Sequence, residues 1–143
     1  TENGRVITPE LNEVAWARSY QALEDALRNA GPSTRVYVLV GPQGAGKSTW
    51  ARSMTTELPH AVFFDAILVK RIERERILAM ASASGVGAIA VWFRTPLDVC
   101  LARNAARPAD EVVPEGAVRN VFAAVEPPAL DEGFERIVEV GET

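Results

Sequence analysis

An apolar run, Arg35-Val-Tyr-Val-Leu-Val40, leads directly into Gly41-Pro-Gln-Gly-Ala-Gly-Lys-Ser48, and Ser48 to Glu57 then continues without glycine or proline. This succession constrains the chain more than anything else in it. The run is short, β-branched and apolar, which predicts a buried strand, and the segment without breakers predicts a helix. The glycine segment between them fits G-x-x-x-x-G-K-[ST] at every fixed position, in the strand–loop–helix context where that pattern forms a phosphate cradle. The reason is physical. Loop N–H groups converge on phosphate oxygens, and the helix N-terminus adds partial positive charge. Glycine is required where a Cβ would forbid the backbone angles. Lys47 supplies a point charge and Ser48 an oxygen for Mg²⁺. Gly41, Pro42, Gln43, Gly44, Ala45, Gly46, Lys47, Ser48 and Thr49 are therefore the candidate nucleotide-binding residues. A nucleoside triphosphate, ATP or GTP, with Mg²⁺ is the expected ligand.

The 143 residues fit one domain, 48% hydrophobic and 24% charged, the balance of an ordinary soluble protein. No apolar run reaches membrane-spanning length, and Thr1-Glu-Asn-Gly-Arg5 lacks a signal-peptide pattern. The single cysteine, Cys100, cannot form an internal disulfide, and the single histidine, His60, cannot build a histidine metal cluster. These features predict a cytoplasmic, reduced location and no membrane partner. A formal charge of −4 argues against a broad nucleic-acid-binding surface, but not against gripping one end of a strand. Nothing in the composition sets the oligomeric state.

Along the chain, Pro9 to Ala30 reads as an opening helix, capped by Thr8, with Val14, Trp16, Tyr20, Leu23 and Leu27 as its apolar stripe and Gly31-Pro32 as its stop. Ala61-Val-Phe-Phe64 is a second strand ending at Asp65. Ala66 to Ser84 reads as a helix, Ala88 to Phe93 as a third strand and Pro96 to Arg107 as another helix. The polar segment Pro108 to Pro114 follows, then a helix over Glu115 to Val125, a loop, and a last strand over Arg136 to Val140. Alternating strands and helices predict an α/β fold: a three-layer sandwich with a short, mainly parallel sheet of about four strands between helices. Its expected parts are an N-terminal helix (1–34), a P-loop unit (35–57) and a lid (103–125). Ligands in such sheets bind at the carboxyl ends of the strands, so Gly41 and Asp65 are expected to share a crevice.

Other residues carry candidate chemistry. Asp65, directly after a buried strand, suits holding Mg²⁺ or taking the proton of an attacking hydroxyl; the plainer reading is a cap for the next helix. Arg103 and Arg107 stand one helical turn apart before a mixed-charge segment. They suit a lid that brings positive charge over a triphosphate, or a solvated helix end. Lys70, Arg71, Arg74 and Arg76, interleaved with Glu73 and Glu75, read as a solvated helix face, with an acceptor-phosphate contact as the alternative. Cys100, beside Leu97 and Leu101, reads as core, and His60 lies in a turn.

Together these segments resemble polynucleotide 5′-kinases of the phage and metazoan type. The likeness rests on Gly41 to Arg52, Phe63-Phe-Asp65, Arg71 to Arg76, Gly85-Val-Gly87, Val91 to Pro96, Arg103-Asn-Ala-Ala-Arg107, Val113-Pro114 and Glu126 to Phe134. The resemblance implies a P-loop NTPase fold that moves the γ-phosphoryl group of ATP to a hydroxyl. It implies Lys47, Asp65 and Arg107 as catalytic residues, Ser48 and Asp65 as oxygens for the metal, and Arg103 near the nucleotide. The implied acceptor is a nucleic-acid 5′-hydroxyl. One departure stands out. The family carries a further strand and helix between the P-loop helix and the strand of Asp65, with an aspartate base on that strand and an arginine nearby for the substrate's 3′ phosphate. Ser48 to Asp65 has room for one helix and one strand only. Asp65 then does both jobs, or the acceptor is a small-metabolite hydroxyl, or the chain is a non-catalytic ATP-binding module.

Overall fold

Why the central strands are apolar almost throughout becomes plain once both faces of the sheet are covered. The computed structural model describes residues 15–65 and 69–141. Among these, the strands are β1 (Ala15–Ala17), β2 (Arg35–Val40), β3 (Ala61–Phe64), β4 (Gly87–Phe93) and β5 (Arg136–Val140). They form one parallel sheet in the order β1-β3-β2-β4-β5. The helices are α1 (Tyr20–Arg28), α2 (Lys47–Ser53), α3 (Arg71–Ala83), α4 (Leu97–Ala105) and α5 (Glu115–Ala124).

Successive strand side chains point to opposite faces, and the two cores follow that parity. Val36, Val38 and Val40 of β2 join Val62, Phe64, Ala88 and Ala90 under Leu23, Leu27, Ile77 and Ala81 of α1 and α3. Tyr37 and Leu39 join Phe63, Ile89, Val91 and Phe93 on the other face, with Ala51, Cys100 and Val118 of α2, α4 and α5. This is the expected three-layer α/β sandwich of a P-loop NTPase. Phe63 anchors the second face, with Trp16, Tyr37 and Trp50 at ring-centroid distances of 5.3, 5.8 and 6.1 Å. Such aromatic pairs add about 0.5–1.5 kcal/mol each beyond area burial.

The opening helix is corrected. Residues 9–14, and the expected Thr8 cap, lie outside the described residues, but Ala15–Ala17 is a strand and helix α1 starts only at Tyr20. Ser19 is the true N-cap, its hydroxyl accepting the Ala22 N–H at 3.1 Å. A helical period links Trp16 to Tyr20, Leu23 and Leu27, which is why the stripe looked continuous. Strand pairing prevails because β3 would otherwise present an open edge. In the strand, Trp16 packs on Phe63 on one face while Tyr20 joins the core of the other. The sheet therefore has five strands rather than about four, and the additional one comes from ahead of the P-loop strand.

Two helix boundaries also move. Helix α2 stops at Ser53, with Met54 donating back to Trp50 and Ala51 before the Thr55–His60 turns. Helix α3 starts at Arg71 behind Lys70, whose N–H donates to Glu73 Oε1 at 3.0 Å; residues 66–68 of the expected helix are outside the described set.

The solvated-face reading of the basic run fails at Arg74, which is fully buried. Its Nε and Nη2 donate to Glu132 Oε1 and Oε2 at 2.9 and 2.8 Å, Nη1 to the Val69 carbonyl at 2.9 Å, and Nη2 to the Glu126 carbonyl at 3.0 Å. Glu126 and Glu132 reach it from more than fifty residues along the chain. Lys70, Arg71 and Arg76 are exposed as expected, with Arg71 paired to Asp131 at 2.9 Å and Arg76 lying 3.9 Å over the Tyr20 ring. The alternative of an acceptor contact fails for Arg74 as well, since its guanidinium fastens the 126–132 segment to α3.

Candidate active site

The loop after β2 is built against α4. Gly44 (φ 81°) and Gly46 (φ 101°) take left-handed angles, which a side chain disfavours. Gly44 also lies so close to the Cys100 carbonyl that a Cβ there would collide with it. The loop is tied at both ends: the Ala45 N–H donates to the Pro42 carbonyl at 3.2 Å, and the Thr95 hydroxyl donates to the Ala45 carbonyl at 2.7 Å. No side chain caps α2 at Gly46, so its first-turn N–H groups face the loop's concavity as unclaimed donors.

Lys47 begins α2 and is buried. Its Nζ donates to the Gly41 carbonyl at 2.8 Å and lies 3.6 Å from Asp65 Oδ1. Burial pushes the ammonium's pKa below the ordinary lysine value; the Asp65 carboxylate opposes that shift and Arg107 adds to it. Asp65 follows β3 directly, half-buried, with its N–H donating to the Ala17 carbonyl of β1 at 3.0 Å. It does not cap α3, which begins six residues later.

The expected lid arginines converge on the same place. Arg103 lies near the end of α4 and Arg107 just past it. Arg103 Nη1 stands within 3.5 Å of the Gly44 carbonyl. Together with Gln43, Gly44, Gly46, Lys47, Ser48, Thr49 and Asp65 they line a cleft of about 630 Å³. Lys47, Asp65, Arg103 and Arg107 thus meet in one cleft at the carboxyl ends of β2 and β3, whereas Lys70, Arg71, Arg74 and Arg76 do not line it.

Some lining residues were not foreseen. Arg18, Arg52 and Glu111 also face this cleft. An adjoining cavity of about 410 Å³ is walled by Trp50, Thr95, Pro96, Val99 and Val140, and shares Gly46, Thr49 and Arg103 with the first. Asn104, buried, holds the segment after α4: its Nδ2 donates to the Val113 carbonyl at 2.6 Å and its Oδ1 accepts the Val113 N–H at 3.0 Å. An amide side chain can satisfy both backbone groups of one residue in this way. Only the polar character of Asn104 between two arginines hinted at that role.

The donor set fits a Mg²⁺-bound polyphosphate. The loop N–H groups, Lys47, Arg103 and Arg107 offer positive potential, while the Ser48 hydroxyl and the Asp65 carboxylate offer hard oxygens beside Lys47. Gln43 Oε1 is buried without a hydrogen-bond partner among the described residues. It can only accept, so it does not serve phosphate and calls for a donor such as a hydroxyl or a metal-bound water.

A family model described as an AAA domain matches residues 57–128, half of the chain, a stretch that includes Asp65, Arg103 and Arg107. No curated protein matches the sequence. The P-loop lies just upstream of the matched stretch and feeds the same cleft. Among the described residues, no helix is long and apolar enough to cross a membrane. With its parallel sheet, glycine loop and the match over residues 57–128, the chain belongs to the AAA domain family and is a nucleotide-binding, kinase-like P-loop NTPase domain.

Proposed function

We propose that the domain is an ATP-dependent phosphotransferase that moves the γ-phosphoryl group to a hydroxyl acceptor. The observation that carries this reading is the convergence of Lys47, Asp65, Arg103 and Arg107 on one cleft. Nucleotide binding alone needs phosphate and base contacts; two arginines delivered from a separate helix suit the charge that develops during transfer. The loop N–H groups and Lys47 hold the β- and γ-phosphates. The apolar cavity beside Thr49 and Arg103 takes the nucleobase, between Pro96, Val99 and Val140. Ser48 and Asp65 would hold Mg²⁺, which supplies charge neutralisation to the phosphates when bound. In the transfer the bond from the γ-phosphorus to the ADP oxygen breaks as one to the acceptor oxygen forms. The hydroxyl proton passes to the Asp65 carboxylate. Arg103 and Arg107 offset the charge on the transferring group.

The acceptor suggested by the resemblance is a nucleic-acid 5′-hydroxyl; a small-metabolite hydroxyl suits the acidic chain equally. A second reading, an ATP-binding module without transfer, draws support from the 3.6 Å Lys47–Asp65 pair, which engages the carboxylate assigned as base. Radiolabelled ATP incubated with 5′-hydroxyl oligonucleotides and a panel of metabolite alcohols separates these readings. The phosphotransferase reading expects a labelled acceptor. Tight ATP binding with every acceptor left unlabelled rejects it in favour of the binding module.

A further inference from the structure

Arg107 leaves α4 on a loop whose place is set mainly by one buried side chain. Arg107 and Glu111 are exposed and both face the triphosphate cleft, and among the described residues neither forms an ion pair. Between them the chain makes a single 3₁₀ turn, in which the Glu111 N–H donates to the Pro108 carbonyl at 2.7 Å. What fixes the loop is its base. Asn104, in the last turn of α4 and 3% exposed, meets both backbone groups of Val113. The two residues stand nine apart, so this pair of bonds closes the chain between them into a ring. The Arg107 N–H adds a bond of 3.2 Å to the Asn104 carbonyl.

The clamp reaches further than joining α4 to α5. Pro108 and Pro114, both at φ −53°, cannot rotate about that bond, which reduces the torsions the loop can use once its base is pinned. Cys100 of α4 and Val118 of α5 lie in the same core on one face of the sheet, so the base itself is rigid. Arg107 therefore takes its place from a buried amide tied to that core rather than from surface contacts. That place is beside the phosphate machinery. Arg107 lowers the pKa of Lys47, and Arg103, one residue before Asn104, reaches the Gly44 carbonyl at 3.5 Å. Stabilising charge on a transferring group needs donors held to within about 0.5 Å of their working positions. A long side chain on an unanchored loop would have to lose loop and rotamer entropy to reach them.

We infer that Asn104 is a positioning residue for phosphoryl transfer: its paired bonds to Val113 hold the 105–112 loop so that the Arg107 guanidinium meets the transferring group. Asn104 does not line the cleft and acts through Arg107. This rests on the phosphotransferase reading and adds a residue to its machinery.

The test uses the full chain with Mg²⁺, ATP and whichever oligonucleotide or alcohol the radiolabel assay marks as acceptor. Asn104→Leu keeps the side chain's bulk and removes both bonds. It is expected to lower kcat about 10²-fold, as Arg107→Ala does, while KM for ATP moves less than about threefold. The double variant Asn104→Leu/Arg107→Ala should be no slower than Arg107→Ala alone, because residues that act as a unit do not add. Losses that multiply in the double variant, or an unchanged kcat for Asn104→Leu, overturn the positioning role and leave the phosphotransferase reading intact. Arg119→Gln, on an exposed face of α5, changes neither parameter. Where the leucine variant does not fold, Asn104→Asp takes its place. Its carboxyl accepts the Val113 N–H in either state but donates to the Val113 carbonyl only when protonated. Its kcat relative to the unsubstituted chain should therefore fall as pH rises from about 5 to 8, and a ratio independent of pH overturns the role. If no acceptor is labelled, the phosphotransferase reading falls and binding decides the clamp. ADP with Mg²⁺ and aluminium fluoride, whose metal fluoride mimics the transferring group, is then titrated by calorimetry. Equal and non-additive weakening by Asn104→Leu and Arg107→Ala sustains the positioning role; additive weakening, or none from Asn104→Leu, overturns it.

Discussion

Arg74→Ala tests the packing argument most directly. The guanidinium is fully buried, and it bridges α3 to a segment more than fifty residues later through both oxygens of Glu132 and the Glu126 carbonyl. Truncation leaves the Glu132 carboxylate, itself 2% exposed, buried without its cation, and it removes the donors to the Val69 and Glu126 carbonyls. Breaking one side of a buried pair costs about 3–5 kcal/mol. That is a large fraction of a total stability of about 5–15 kcal/mol, and corresponds to about 10–15 °C in Tm for a domain of this size. Urea unfolding followed by far-UV circular dichroism reads the change as a lower midpoint at unchanged slope. The double variant Arg74→Met/Glu132→Leu distinguishes pairing from simple occupancy. With both charges replaced by apolar groups it should recover most of the loss, because a satisfied buried pair is close to neutral against an apolar substitute. A loss below about 1 kcal/mol for Arg74→Ala, or a double variant as unstable as the single one, would refute the reasoning.

Three further outcomes follow from the site. Lys47→Ala should lower turnover by about 10²–10³ and weaken nucleotide binding; unchanged affinity and turnover in filter-binding and rate assays would sink the P-loop assignment. Arg107→Ala should lower kcat by about 10² while nucleotide affinity moves far less, and an unaffected rate would remove its role over the transferring group. The third concerns pH. Burial lowers the Lys47 pKa in the free protein, so between that lowered value and 10.5 the unfolded chain binds more protons and stability rises with pH. Phosphate beside the ammonium raises its pKa again, so nucleotide affinity is full below the free-state value and falls as pH climbs through the window above it. Measured above about pH 8, beyond the phosphate pKa of about 6, opposite slopes for stability and affinity are expected. Lys47→Met should lose both, and a retained affinity slope would assign the effect to another group.

The phosphate half of the site was legible because its chemistry is local. A cradle of N–H groups needs consecutive residues, so Gly41 to Ser48 announces itself in one line of sequence, and the parallel α/β order follows from how strands and helices alternate. Asp65 and the Arg103/Arg107 pair were legible as types at element ends, and topology brought them together. What was not legible depends on partners distant in sequence. Arg74 sits in a charge pattern identical to that of a solvated face; only the arrival of Glu132 from 58 positions away turns it into a buried anchor. Trp16 and Arg18 present the same difficulty. Trp16 completes a helical stripe with Tyr20 and Leu23, and no local rule outweighs that period except the capping hydroxyl of Ser19. Once β3 offers an edge, the tripeptide Ala15–Ala17 pairs with it and Arg18 moves from a helix flank to the mouth of the cleft. The position beside β3 is filled from the other direction along the chain, by the short strand β1 ahead of the P-loop strand.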